Sequence, residues 1–248
     1  MLLFFLNFFQ DALAQPNPPS TLFLDKDLLA VSRNKIEQND KNLAPSFKTL
    51  IKEANKYLDE GPFSVMDKQK TPPDGDKHDY FSLSIYAWPN PKTADSLPYI
   101  TRDGEVNPQS KIGTDEESFV KMCESSFTLA LAYYFSGNEK YAEHASDIIR
   151  TWFIDSKTKM NPNLNYAQTV MGKNEGSPGG IIDGRNLVYV TEAAGLLTGS
   201  TSWRDEDMED LKSWFKDYLN WLLTSKNGIE EGNSKNNHVT FYKAQVVD

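Results

Sequence analysis

The chain has 248 residues, with 26 Lys and Arg against 35 Asp and Glu, a formal charge of -9 and an isoelectric point near 4.9. That balance argues against a nucleic-acid backbone as partner, which needs clustered Lys and Arg. A single cysteine, Cys123, excludes an internal disulfide framework and a Cys-based zinc cluster, and three histidines leave little for a His-rich metal site. The length suits one large domain or two small ones, and ordinary Gly and Pro counts exclude collagen-like and largely disordered chains.

The first fifteen residues read MLLFFLNFFQDALAQ. The apolar run from Leu2 to Phe9, broken only by Asn7, is shorter than the roughly 20 residues of a membrane-spanning helix. It meets Ala12-Leu13-Ala14, a small-x-small pattern suited to signal peptidase. The expectation is an export signal over residues 1–14 and a folded domain over 15–248, hence a periplasmic or secreted protein. No Lys or Arg precedes Lys26, so the usual basic n-region is missing, and a buried N-terminal helix is the alternative.

Helical spacing dominates the remainder of the chain. Leu43, Phe47, Leu50, Ile51, Ala54 and Leu58 recur at three- and four-residue intervals, and Gly61-Pro62 ends the pattern. Residues 63–114 are non-periodic and rich in Pro, Asp, Gly and aromatics, a stretch long enough to indicate a functional loop. Asp115-Glu116-Glu117 then suits a helix N-terminus. The stripe Phe119, Met122, Cys123, Phe127, Ala130, Leu131 and Tyr134 runs from it to Gly137. Asn138 caps a second helix through Tyr141, Ala145, Ile148, Ile149 and Trp152, and the short link makes the two an antiparallel pair. After a second irregular stretch, residues 155–184, a further pair is expected at Arg185–Leu197 and about Glu206–Leu223. Tyr218 falls within the apolar stripe of its second member, so its hydroxyl needs a partner. Asn233 to Asn237 suits one more helix start, with His238, Phe241, Tyr242 and Gln245 on one face. That pattern is still running at Asp248, which reads as a cut within a helix. No stretch alternates long enough to imply a sheet.

Five segments stand out: Asp79-Tyr80-Phe81-Ser82-Leu83; Tyr86-Ala87-Trp88-Pro89-Asn90-Pro91; the run from Leu97 to Pro108; Asn163-Leu164-Asn165-Tyr166-Ala167-Gln168; and Asn236-Asn237-His238. In this order and spacing, over residues 40–248, they resemble the alginate lyase family of polysaccharide lyases. The resemblance implies an all-α fold, an incomplete (α/α) toroid of antiparallel helical hairpins with long cleft-lining loops. It also implies an exported enzyme that cleaves uronic-acid polysaccharides by β-elimination, with no redox cofactor and usually no required metal. An anionic polysaccharide is then the partner of a protein expected to be monomeric, without a membrane span.

Such a reaction removes a weakly acidic C5 proton beside a carboxylate. The carboxylate must be neutralised or hydrogen-bonded, and a base and an acid must be supplied. The resemblance assigns Asn237 the amide that engages the carboxylate, and His238 the role of carboxylate neutraliser or general base. Helix capping by the Asn pair, with His238 packed beside Phe241, is the competing explanation. The Tyr and Arg that complete such a site are expected beyond Asp248. Tyr80, Tyr86 and Trp88 are candidates to stack on sugar faces, or to anchor a Pro-rich loop. Arg102 and Arg185 are candidate contacts for other uronate carboxylates, or surface ion-pair partners. Gln168 is a candidate donor to a sugar hydroxyl, Tyr166 a further substrate contact in the same segment, and Tyr242 a residue of the cleft wall. Val239 after the His, and the loop GKNEGSPGG at 172–180, depart from the family pattern and bear on which polymer fits. A glycoside hydrolase on a similar toroid, or a non-catalytic carbohydrate-binding protein, are the alternative functions.

No GxxxxGK[ST], GxGxxG, HExxH or GxSxG motif occurs. Asp115-Glu116-Glu117 and Asp205-Glu206-Asp207 read as solvated helix starts. His144 reads as surface, His78 as a solvated loop residue and Cys123 as core.

Overall fold

The computed structural model describes residues 19–247, so the expected export signal and Asp248 lie outside the described residues. Eight α-helices carry the described part of the chain: α1 (Lys26–Glu37), α2 (Ala44–Tyr57), α3 (Glu116–Ser136), α4 (Glu139–Ile149), α5 (Leu187–Leu196), α6 (Asp205–Thr224), α7 (Lys226–Gly232) and α8 (His238–Val247). None is long and apolar enough to cross a membrane. The all-α reading holds, and the helices track the expected stripes. Two are additions: α1, which buries only Leu29, and the seven-residue α7. Neither has an apolar stripe long enough to announce itself.

Helix α3 is the hub, with α2, α4 and α5 packed around it. Phe119, Met122, Cys123 and Ala130 are all buried along it. Gly137 ends it in the left-handed conformation (φ +67°), and the Asn138 side chain accepts from the Lys140 N–H to start α4. That two-residue link folds α4 back onto α3. Past Ile149 the chain widens into a π-helical turn, Arg150–Ile154, which puts both Trp152 and Phe153 into the core. Phe153 meets Trp214 of α6 edge-on at 4.7 Å between centroids, and Trp214, Tyr218 and Trp221 stack in succession along α6.

The second expected helix pair is not closely packed. α5 turns towards α3, and α6 towards the π-helical turn and α7. An apolar groove of about 400 Å³ lies between them, lined by Leu22, Ala194, Met208, Leu211, Phe215 and Val246 among others. Residues Ser20–Leu24 cross one end of it. There Glu192 of α5, itself buried, accepts the backbone N–H groups of Leu22, Phe23 and Leu24 at 2.6, 2.9 and 3.0 Å.

Both acidic helix starts depart from the solvated reading, because each contributes a buried carboxylate. Asp207 is 1 % exposed. It accepts from Arg204 Nη2 (2.7 Å), Arg204 Nε (3.1 Å), the Arg204 N–H (3.0 Å) and Arg150 Nη2 (2.8 Å). Burial alone would oppose ionisation, but these charged donors outweigh it and hold the carboxyl well below the usual carboxylate range. A depressed folded-state pKa contributes stability above the unfolded value, and that stability is lost as pH falls through the acid range. Asp207→Asn should therefore destabilise the protein by about 3 kcal/mol at neutral pH. In urea titrations the gap between the two proteins should begin to narrow below about pH 4, the unfolded carboxylate value, and still be open at about pH 3, because the folded value lies lower.

At the other start, Asp115 Oδ2 lies 3.1 Å from Lys68 Nζ, with both side chains essentially inaccessible to water. The same oxygen accepts the Phe81 N–H at 2.9 Å, and Lys68 also donates to the carbonyls of Val65 and Lys77. The pair thus fastens residues 65–81 to the head of α3. Burial pushes the Asp115 carboxyl up to about 7 against the pull of Lys68, and lowers the Lys68 ammonium from its ordinary value.

The long loops are not wholly irregular. Phe81–Leu83 (β1) pairs in parallel with Tyr166–Thr169 (β4), in the register Phe81 with Tyr166 and Leu83 with Thr169, with a shift between. Ala87–Trp88 (β2) pairs antiparallel with Ile100–Thr101 (β3). Two to four residues are too few to show alternation, so sequence patterning missed them. Their effect is positional: β1 and β4 bring the two long loops together. Beyond β4, a run of 3₁₀ turns over Pro178–Asn186 touches α3, α5, α7 and α8.

Candidate active site

The floor of the site is organised by Asp183, which lies in those 3₁₀ turns and is 8 % exposed. One carboxylate oxygen accepts from the Ser82 hydroxyl at 2.6 Å and the Tyr80 hydroxyl at 3.1 Å; the other accepts the Gln168 amide at 2.9 Å. Burial pushes the Asp183 carboxyl up from its ordinary value, opposed by these donors and the charge of Arg185. Ser82 also accepts the Gln168 N–H at 2.8 Å. These bonds hold Gln168 with φ +51°, in the left-handed region where a non-glycine residue is strained and needs surrounding support. Asp183→Ala would orphan three donors at once. We expect a loss of about 3 kcal/mol in chemical denaturation, with a larger proportional loss of any activity that depends on the Gln168 loop.

The structure corrects several of the candidate sugar contacts. Tyr80 is 1 % exposed and packs edge-on against Phe119 at 5.3 Å, so it has no free face to stack on a sugar. It supports Asp183 from below. Tyr242 is 9 % exposed, donates its hydroxyl to the Leu222 carbonyl at 3.1 Å and lies against Gly232; it locks α8 to the end of α6 rather than facing a cleft. Gln168 is half-buried, and its amide nitrogen is spent on Asp183 rather than on a sugar hydroxyl. Tyr166 is half-buried, its ring over Gly75.

Tyr86, Trp88 and Arg102 form their own cluster. The Arg102 guanidinium sits over the Trp88 ring at 4.9 Å and 3.5 Å from the Glu105 carboxylate. The indole N–H donates to the Glu105 carbonyl, and the Arg102 N–H to the Tyr86 carbonyl, both at 2.9 Å. All three side chains remain partly exposed. This arm docks on the glycine-rich loop: the Tyr99 N–H donates to the Met171 carbonyl at 2.8 Å, and Gly172 lies against Pro98.

The glycine-rich loop next passes beneath α8. A side chain at Gly176 would run into the Asn165 carbonyl, so only glycine lets the two loops meet there. Gly179 sits under the His238 imidazole, where a methyl would make ordinary contact at 3.5 Å from Cε1 and 3.6 Å from Nδ1. Asn236 is the cap of α8, its side-chain oxygen accepting the His238 N–H at 2.9 Å. Capping is thus done by Asn236, leaving Asn237 exposed with its carboxamide unengaged by the described residues. His238 Nδ1 lies 3.0 Å from Glu231 Oε1, a carboxylate whose side chain is 6 % exposed against 28 % for the imidazole. Arg185 is exposed at the end of the 3₁₀ turns, donating to the Ile182 carbonyl at 3.1 Å. The Tyr218 hydroxyl finds its partner in Gln245 of α8 at 2.6 Å.

The structure therefore sets His238, with Asn237 next to it in the chain, against Gly179 of the glycine-rich loop, and the Trp88 arm on the same loop's far end. Sequence reasoning missed Glu231, Ser82 and Asp183. The last lies among glycines without a motif, and Glu231 precedes His238 by seven residues across a helix break.

The sequence model of the family described as Alginate lyase matches residues 64–247. Among solved structures, that of an alginate lyase from Bacteroides ovatus superposes with a TM-score of 0.86 at 40% sequence identity, over 92% of this chain and 60% of that one. No curated protein matches the chain. The chain thus spans about 60% of the length of the solved relative, and the all-α toroid fold is common to both. On the extent of the family match and the identity to the solved relative, this chain belongs to the alginate lyase family.

Proposed function

We propose that the protein is a polysaccharide lyase that cleaves alginate, or a closely related uronic-acid polymer, by β-elimination. The observation that carries the proposal is the pair at the head of α8. Asn237 carries an exposed carboxamide that no described residue engages, and His238 has Nδ1 bound to Glu231 and its ring against Gly179 of the glycine-rich loop. An uncommitted amide can hydrogen-bond a uronate carboxylate, and an imidazole can take the C5 proton. Trp88 and Tyr86 supply partly exposed aromatic surface for sugar rings, and exposed Arg185 a cation for a neighbouring uronate. The alginate lyase from Bacteroides ovatus supports the choice of polymer.

The hydrolase alternative needs two carboxylates facing the bond to be cleaved. Glu231 is occupied by His238 and Asp183 by three donors, which favours the lyase reading. Export and a monomeric state belong to the same proposal. The test is ultraviolet absorbance from the unsaturated product, on a panel of uronate polymers. A rise on alginate is expected; reducing ends appearing without any rise would sink the lyase reading in favour of hydrolysis.

A further inference from the structure

We propose that Glu231 is the positioning residue of His238, holding the imidazole with its proton on Nδ1 so that Nε2 presents a lone pair to the substrate. This rests on the lyase reading and adds to it a residue of α7 that touches no sugar. Glu231 and His238 are held on two short helices that are fastened to one point. Ser225 caps α7 by accepting the Gly228 N–H at 3.0 Å, and Gly228 sits directly against the Leu222 carbonyl. The same carbonyl accepts the Tyr242 hydroxyl from α8, and the Tyr242 ring lies on Gly232. Two residues whose helices share that anchor have little freedom to drift apart.

The carboxylate itself requires a partner. At 6 % side-chain exposure an ionised Glu231 without a donor would be costly, and His238 Nδ1 at 3.0 Å is the side-chain donor it has. An ionised carboxylate only accepts, so this bond selects the Nδ1–H tautomer and leaves Nε2 as the acceptor. Burial raises the Glu231 carboxyl from its ordinary value, and His238 opposes that shift. In the elimination, Nε2 takes the C5 proton. The C5–H electron pair becomes the C4=C5 double bond, and the C4–O pair leaves with the departing sugar oxygen, which takes the proton from the imidazolium, directly or through water, and returns His238 to its neutral form.

The test reads the tautomer directly. The full chain has His78, His144 and His238 only, so a nitrogen–proton correlation spectrum of histidine-labelled protein at about pH 8, where imidazoles are neutral, is readily assigned with His238→Gln. Wild-type protein should show His238 as the Nδ1–H form. In Glu231→Gln the amide can donate to Nδ1, and the Nε2–H form should appear. The comparable change at an orienting carboxylate elsewhere lowers kcat by about 10⁴. Here kcat should fall by about 10²–10⁴ with KM within about threefold, and Glu231→Asp should recover part of it. An Nε2–H His238 in the wild type, or an Nδ1–H His238 retained in Glu231→Gln, would overturn the proposal, as would equal loss in KM and kcat. Should no polymer yield unsaturated product, the lyase reading fails while the spectrum still decides whether Glu231 sets the tautomer.

Discussion

Asn237→Ala should retain the fold and lose about 10²–10³ of the rate of unsaturated-product formation, the range seen when one donor to a developing oxyanion is removed. Its side chain is exposed and bonded to none of the described residues, so thermal unfolding should move by no more than about 0.5 kcal/mol. His238→Gln should lose about 10²–10⁴, the contribution of a positioned acid or base. Gln is preferable to Ala here because it can still donate to Glu231, whose buried carboxylate would otherwise be stranded. The measurement is initial rate by absorbance, beside a melting curve for each variant. Wild-type rates in both would remove the head of α8 from the mechanism. Binding of intact polymer without turnover in the parent would instead favour a carbohydrate-binding protein.

Lys68→Met should be the most destabilising exchange outside the hydrophobic core. It leaves Asp115 buried at 1 % exposure with its countercharge gone, and removing one partner of a buried pair costs about 3–5 kcal/mol. The effect carries a pH signature. The folded-state pKa of Asp115 is raised to about 7 from 3.8. A raised carboxyl contributes stability that is fully present below the unfolded value and is lost as pH rises through the folded one. Without Lys68 that folded value climbs further, so the deficit of the variant should be greatest at about pH 8 and shrink towards about pH 5. Guanidinium titrations at the two pH values measure it. Lys68→Met combined with Asp115→Leu should recover much of the loss, because paired apolar groups can replace a buried ion pair. A deficit independent of pH would show that the loss is one of packing rather than charge.

How far the sequence was legible depends on the range of each signal. Helices such as α3 and α6 repeat an apolar residue every turn for some 20 positions, as in Phe119 to Tyr134, and Gly137-Asn138 marks the turn between hairpin arms. Strands of two to four residues have no period to read, so β1 and β4 were invisible although they join the two cleft loops. Charged residues at a helix start look the same in sequence whether they meet water or a distant cation. Asp115 is separated from Lys68 by 47 positions, and Asp207 from Arg150 by 57. The same holds within the site. The segment Asn236-Asn237-His238 was recognisable because it is contiguous, and the structure divides its labour between cap and free amide. Tyr80 was misplaced because an aromatic in a polar loop gives no sign of which way it faces. It points inward to Asp183, whose own role depends on donors 15 to 103 residues away.

The clamp of Glu192 on Leu22, Phe23 and Leu24 has a consequence for how this part of the molecule can change over generations. The carboxylate grips three main-chain N–H groups and ignores the side chains attached to them. Leu22 and Phe23 remain 60 % and 56 % exposed. Every residue but proline offers the same N–H. Substitution at the exposed positions 22 and 23 is therefore nearly free, proline excepted, while the one buried acid that reads the backbone is not. Drift at 22 and 23 with constancy at 192 is the pattern such a main-chain contact would leave.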